Sequence, residues 1–362
     1  ILAVGTPSAP DGSVDMSAME AAPDQVGEAM AGYTVVLTKS TVPVGTHHRL
    51  CERIAARTDE AFDYVANPEF LKEGSAVDDF LKPDRVIVGV DSDRALQVVR
   101  HLYAPFMRRQ DRMIVMDPAS AELAKYACNA MLAARVTFMN EMARLCERVG
   151  ADIENVRLAM GADHRIGRDF LFASLGFGGS CFPKDVRALI STARTANQPL
   201  RIVEAVDLAN QAQREVLFDR VRHYFGGRLH EKTFAVWGLA FKARTDDVRE
   251  SPALTVVQRL IGAGARVAAH DPQAMDTARA VLGPNHVRYV EDMYEALDGA
   301  DGLIVCTEWQ AYRTPDFRSI QARLAEPVIF DGRNLYDLDW MAQTGLTYIS
   351  IGRPVVKPAE GG

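Results

Sequence analysis

The chain has 362 residues, 48% hydrophobic and 25% charged, with a formal net charge of −7. That length allows two or three domains with real cores. The interspersed, mildly acidic charge argues against a nucleic-acid surface, yet leaves room for small anionic ligands held by backbone N–H groups and local Arg or Lys.

Cys51, Cys128, Cys146, Cys181 and Cys306 are odd in number, scattered, and free of any CxxC pair. They argue against a disulfide framework or zinc site and fit a reduced, cytoplasmic setting. His47-His48 lacks ligand-spaced companions and reads as a solvated helix start, so no metal is expected. No apolar run approaches the roughly 18 residues of a membrane helix, so no membrane partner is expected.

In chain order, "ILAV" reads as a buried strand ending at Gly5-Thr6-Pro7, with no basic signal-peptide region before it. A chain that starts inside a core strand is expected to continue upstream. Ser17–Ala31 is helical, with Pro23 interrupting its pattern, and β-branched Tyr33–Val42 is a strand. A helix over Thr46–Arg57 leads to the strand "FDYVANPEF", then a strand over Asp84–Val90 and a helix over Ser92–Met107. Such alternation indicates a mainly parallel sheet with ligands at its carboxyl strand ends, here Thr6, Thr41 and Asn67-Pro68-Glu69. From Asp117-Pro118 to Gly150 the spacing of Leu123, Ala127, Met131, Phe138, Met142, Leu145 and Val149 predicts one helix of about thirty residues. Its length bridges domains and its apolar content suits a subunit interface. Lys125 and Asn129 share a face of it, where a solvated polar stripe is the ordinary alternative.

After a loop over Gly161–Lys184 and further helices to about Tyr224, a second α/β series begins at Gly226-Gly227. "KTFAVWGLAF", "RVAAHDP", "DGLIVCTEW", "EPVIFDG" and "LTYISIG" read as its strands. Its first turn, "GLAFKARTDD", lacks GxGxxG. The fold class is α/β: two Rossmann-like parallel-sheet domains, the first N-terminally truncated, joined by a long central helix. The expected boundaries are 1–117, 118–228 and 229–353, with a tail over 354–362.

The loop "GGSCFPKD" concentrates chemistry. A free thiol is mostly protonated at neutral pH, but Lys184 beside Cys181 can favour the thiolate and Asp185 can handle protons or order a water. Buried cysteines are commonly inert, so the loop alone leaves the question open. Joined by Lys125, Asn129, Glu69 and Glu73, it suits oxidation of a carbonyl through a thiohemiacetal and thioester, with hydride passed to a nicotinamide. In that chemistry Lys125 and Asn129 stabilise an oxyanion and a carboxylate activates water.

"VGTPS", "TKSTVPVGT", "NPEFLKEGSAVDDFLKPDRVIVG", "AELAKYACNAMLAARVTFMNEMARLCERVGAD", "GFGGSCFPKD", "WGLAFKARTDDVRESPAL" and "IFDGRNLYD" closely resemble the UDP-glucose/GDP-mannose dehydrogenase family, over Ile1 to about Arg353. "GGSCFPKD" and "WGLAFK" resemble its UDP-glucose branch most. The resemblance implies four-electron oxidation of C6 of UDP-glucose to UDP-glucuronate with two NAD used in turn. It implies Cys181 as nucleophile among Lys125, Asn129 and Asp185, Glu69 as base for thioester hydrolysis, and Thr41 positioning the water. Substrate contacts would come from Phe70, Leu71, Lys125, Asn129, Phe170, Leu171, Phe172, Ser174, Gly178, Phe241, Lys242 and Arg333. Arg165 would reach the substrate of a neighbouring subunit in a homodimer or larger assembly. Thr6, Thr41, Glu73, Lys184 and Arg249 would line NAD, with the Arg249 fork suited to pyrophosphate.

One departure is large. Family members begin with a strand, a GxGxxG turn, a helix and a strand ending in an acidic ribose ligand, roughly 70–80 residues by analogy with a Rossmann half. None of it is in this sequence, so the chain as written is expected to bind NAD weakly or not at all and to be inactive, its longer parent being the dehydrogenase. Alternatives are a GDP-mannose or UDP-N-acetyl-hexosamine dehydrogenase and a non-catalytic nucleotide-sugar-binding module. A cysteine hydrolase or transferase needs a base that no nearby histidine offers.

Overall fold

The computed structural model describes residues 1–107 and 110–358, so the end of the expected tail, 359–362, lies outside the described residues. The chain divides into two compact units, Ile1–Met131 with Lys184–Val203, and Leu132–Pro183 with Glu204 onward.

The first unit opens with α1 (Ser17–Ala29), β1 (Thr34–Thr38), α2 (Thr46–Ala55), β2 (Phe62–Ala66), α3 (Ala76–Leu81), β3 (Val86–Gly89), α4 (Asp93–Tyr103) and β4 (Met113–Met116). Its sheet runs β1-β2-β3-β4. β1 and β2 pair in parallel, as do β3 and β4, while β2 and β3 meet antiparallel at the single pair Ala66–Gly89. The period of two along each strand sends Val36, Tyr64 and Ile87 into one core with Leu50 and Ile54. Their neighbours Leu37, Val65, Val86 and Val88 enter another with Val99 and Tyr103.

Two local expectations change here. Of "ILAV", only Leu2 pairs with β1, through one parallel bridge to Thr38. Beyond it the Ser40 hydroxyl, not a backbone group, donates to the Val4 carbonyl at 2.7 Å, which ends the ladder. α1 also runs unbroken through buried Pro23.

α5 (Pro118–Val149) is the expected long helix, 32 residues from end to end. It is followed by α6 (Ile153–Ala162), α7 (Phe182–Thr195), α8 (Arg201–Gln213) and α9 (Val216–Tyr224). Among the described residues no helix is both long and apolar enough to cross a membrane.

The second unit continues with β5 (Thr233–Trp237), α10 (Pro252–Gly262), β6 (Arg266–His270), α11 (Met275–Leu282) and β7 (Val287–Tyr289). Then come β8 (Gly302–Val305), α12 (Gln310–Arg313), α13 (Phe317–Arg323), β9 (Val328–Asp331), α14 (Leu338–Met341) and β10 (Thr347–Ser350). The sheet is parallel throughout, ordered β10-β9-β8-β5-β6-β7. The chain therefore builds outward from β5 to β7, then returns to β8 on the other side. That reversal makes a switch point at the carboxyl ends of β5 and β8, where open α/β sheets bind ligands. The sequence pattern missed two strands, β4 of the first unit and β7, a three-residue edge too short to alternate visibly.

Candidate active site

In the first unit, the face of α5 holding Glu122, Lys125 and Asn129 is buried rather than solvated, each residue being at most 6% exposed. Lys125 Nζ lies 3.2 Å from Glu69 Oε1, and its charge sits 5.0 Å from the Phe70 ring centroid. Glu69 also accepts the Leu71 N–H, which folds "PEFL" back around the carboxylate. Asn129 Nδ2 donates to buried Asp185 Oδ2 at 2.6 Å, and Asp185 is ion-paired with Lys184 in the first turn of α7. Glu73 stands half-buried in the turn before α3.

Thr6 and Thr41 also meet in this unit, the Thr6 hydroxyl donating to the Thr41 carbonyl at 3.0 Å. Both follow segments that run parallel at the sheet's carboxyl edge, and no atom lies within 4 Å of a Cβ placed on Gly5. An open, glycine-bearing strand end of this kind fits a dinucleotide.

His47 corrects the expectation of a solvated helix start. It is buried, its Nδ1 is 3.1 Å from Glu122 Oε2, and Glu122 also accepts the backbone N–H groups of Gly45 (2.7 Å) and His47 (2.8 Å). The Gly45 N-cap of α2 has no side chain to take those N–H groups, so a carboxylate from α5 does it. Among the described residues no group of three His, Cys, Asp or Glu could hold a metal.

Lys39 is a further residue that sequence reasoning missed. Its Nζ contacts Asn67 Oδ1 and the Tyr103 hydroxyl, both at 3.3 Å. Burial pulls its ammonium down to about 8; Glu69 opposes that shift and Lys125 adds to it.

In the second unit, Cys181 is half-exposed, directly before α7, with its sulfur 3.5 Å from the Ser180 hydroxyl. Three other thiols are made less reactive by burial: Cys306 is pushed up to about 12 and Cys51 to about 11, while Cys146 is raised. The approach to Cys181 leaves no room for side chains. A Cβ on Gly178 would lie 2.3 Å from the Glu250 carbonyl oxygen, and one on Gly179, at φ +80°, would lie 2.7 Å from the Phe241 ring. Upstream, Phe170 holds a left-handed φ of +59°, Phe172 is exposed, and Leu171, Ser174 and Gly178 are buried. This loop hangs on buried side chains: Asn140 accepts the Ser174 N–H, Gln213 donates to the Ser174 carbonyl, and Asn210 accepts the Phe177 N–H.

At the switch point, the Arg333 guanidinium pairs with Glu308, whose other oxygen takes the Ala243 N–H at 3.4 Å. Arg333 is thereby joined to the turn carrying Phe241 and Lys242 through a residue the sequence did not single out. Burial raises the Glu308 carboxyl, but Arg333 and backbone N–H groups outweigh it and the net shift is downward. Arg249 forks onto Asp247, and Arg165 is an exposed side chain held by Asp163. Glu122, Asn140, Asn210 and Glu308 carried one faint signal, polar residues in otherwise apolar surroundings, which sequence alone cannot separate from surface positions.

Comparison with known proteins shows which family the chain and its fold are similar to. Models of the UDP-glucose/GDP-mannose dehydrogenase family match residues 1–107 (NAD binding domain), 119–212 (central domain) and 235–338 (UDP binding domain). The UDP-glucose 6-dehydrogenase of Pseudomonas aeruginosa is 47% identical over 98% of this chain and 80% of its own length. UDP-glucose 6-dehydrogenase TuaD of Bacillus subtilis is 42% identical over 99% of this chain and 77% of its own. The solved UDP-glucose dehydrogenase of Pyrobaculum islandicum superposes with a TM-score of 0.89 at 40% identity, covering 97% of this chain and 79% of that one. Fold and matches define an NAD-dependent oxidoreductase built on two Rossmann-like sheets. More particularly, the chain belongs to the UDP-glucose/GDP-mannose dehydrogenase family.

Proposed function

We propose that the protein oxidises UDP-glucose to UDP-glucuronate through a covalent intermediate on Cys181. The supporting observation is the buried polar face of α5, where Lys125 is paired with Glu69 and Asn129 with Asp185. A stripe meant for solvent would not be desolvated in this way, and leaving it unpaired would cost several kcal/mol (about 3–5).

NAD, when bound, supplies the hydride acceptor for both oxidations. The C6 alcohol loses a hydride and a proton to become the aldehyde. The Cys181 sulfur adds to that carbonyl, forming the S–C6 bond of a thiohemiacetal, and loss of a second hydride and a proton leaves a thioester. Water activated by Glu69 and positioned by Thr41 breaks the S–C6 bond, returning the thiol and releasing the carboxylate. Lys125 and Asn129 stabilise the oxygen as charge develops, and Asp185 orients Asn129.

Phe70, Leu71, Phe170, Leu171, Phe172, Ser174, Gly178, Phe241, Lys242 and Arg333 hold the sugar nucleotide, with Arg165 serving a neighbouring subunit. Thr6, Thr41, Glu73, Lys184 and Arg249 hold NAD. The boundaries 1–117, 118–228 and 229–353 are the corresponding functional domains. Exposed Leu123, Met131, Phe138, Leu145 and Val149 along α5 support assembly with a second copy.

Cys181→Ser tests the reading. Glucuronate formation is expected to fall below detection while UDP-glucose still binds by calorimetry; undiminished glucuronate would rule out the nucleophile. Steady-state comparison with GDP-mannose and UDP-N-acetyl sugars tests the substrate, and a preference for either would replace UDP-glucose.

A further inference from the structure

Arg214 stands one residue beyond α8 with its side chain 14% exposed. Its Nη1 and Nη2 both donate to Glu250 Oε2 at 3.1 Å, and Nη2 also donates to the Phe177 carbonyl at 3.1 Å. One guanidinium thus bridges the strand of loop that leads into Cys181 and the segment that follows Arg249. The same two segments touch through backbone: the Gly179 N–H donates to the Arg249 carbonyl at 2.9 Å, and Gly178 packs on the Glu250 carbonyl too closely for any Cβ. Glu250 itself holds a left-handed φ of +49°, a conformation a non-glycine residue keeps only when its surroundings impose it. Asn210 secures Phe177 from the other side, donating to its carbonyl at 3.1 Å and accepting its N–H at 2.8 Å.

We propose that Arg214 is a positioning residue for the Cys181 thiol. By clamping Phe177 to Glu250 it fixes the Gly178-Gly179 backbone two residues before Cys181, and it makes the thiol loop and the Arg249 segment one rigid piece. The proposal rests on the reading of Cys181 as the nucleophile. Arg214 touches no reacting atom in this arrangement and acts through the loop. A planar, two-pronged donor is required, because an ammonium cannot span the Glu250 carboxylate and the Phe177 carbonyl in the same plane.

The experiment compares Arg214→Ala, Arg214→Lys and Glu250→Gln in the full chain. In Arg214→Ala, kcat is expected to fall by about 10- to 100-fold with KM for UDP-glucose changed little, as for a misplaced reacting group. Added guanidinium chloride, below denaturing concentration, is expected to restore part of kcat, whereas Arg214→Lys stays impaired. Glu250→Gln keeps an acceptor and the side-chain shape and is expected to lose kcat in the same direction, so the test stands even if Arg214→Ala does not fold. Iodoacetamide alkylation of Cys181, followed by mass spectrometry without substrate, is expected to change at least threefold in the variants. That readout reports loop geometry whether or not Cys181 is the nucleophile, so it separates this proposal from the one it rests on. Wild-type kcat and alkylation in both Arg214→Lys and Glu250→Gln would overturn it, as would an Arg214→Ala defect that guanidinium leaves untouched.

Discussion

Lys125 and Glu69 form an ion pair of 3.2 Å in which the lysine side chain is 5% exposed and the glutamate side chain 27%. The pair joins α5 to the loop after β2, and it keeps a cation and a carboxylate side by side. Its partial exposure on the carboxylate side leaves Glu69 able to meet water while Lys125 stays fixed.

On the proposed mechanism, Lys125→Met should remove the cation that stabilises developing negative charge. The expected loss in kcat for NADH formation is about 10²- to 10³-fold, the usual cost of one such donor. Glu69→Gln should act later: a burst of NADH followed by slow turnover is expected, because the thioester then waits for water. Stopped-flow absorbance separates the two, and a burst-free Glu69→Gln with wild-type kcat would remove Glu69 from the hydrolysis step.

Lys39 gives a pH dependence whose sign is fixed. Its ammonium is held near 8 in the folded chain, against an ordinary value of 10.5, chiefly by burial. Between those values the unfolded chain binds more protons, so stability should rise with pH across that window and be insensitive to this group well below 8. The groups facing it are Glu69, Lys125, Asn67 and Tyr103. Urea unfolding of wild type and Lys39→Met at about pH 7.5 and 9.5 should differ in pH response by about 1–2 kcal/mol. Parallel curves for the two proteins would show that Lys39 is not the group responsible.

The α5 face makes a prediction about assembly. Phe138 and Leu145 are exposed on it, 46% and 52% respectively, a face too apolar for a helix that meets only water. Wild type is expected to show at least a two-chain mass in light scattering after size exclusion, and Phe138→Glu combined with Leu145→Glu a single-chain mass. A single-chain wild type, or a mass unchanged by the substitutions, would remove this face as a subunit contact.

Much of the fold was legible because it is written in local periodicity. The strand patterns of the second α/β series, the 32-residue α5 and the Gly/Pro punctuation all lie within windows of a few turns or strands. The reactive residue types of "GGSCFPKD", "NPEF" and the Lys125/Asn129 face could be singled out for the same reason, although spacing alone left the role of Cys181 open. Less visible were β4 and β7, the latter too short to show alternation, and the short pairing at Leu2, beyond which a Ser40 hydroxyl takes the carbonyl of Val4, 36 residues away.

What the sequence by itself determined, then, is which residues could do chemistry and on which element each stands. Only the tertiary structure decided whether they are desolvated and by whom they are held. Lys125 and Asn129 could have been a solvated stripe; Glu69 and Asp185, distant by 56 residues from each α5 partner, make them a buried cluster. His47 could have been a solvated cap, but Glu122 takes it inside. The thiol loop could have been an ordinary turn, but Asn210, Gln213 and Arg214 fasten it by its backbone. The physical reason is common to all three: pairing energies depend on burial and on partners far apart in sequence, and neither is encoded in any local window.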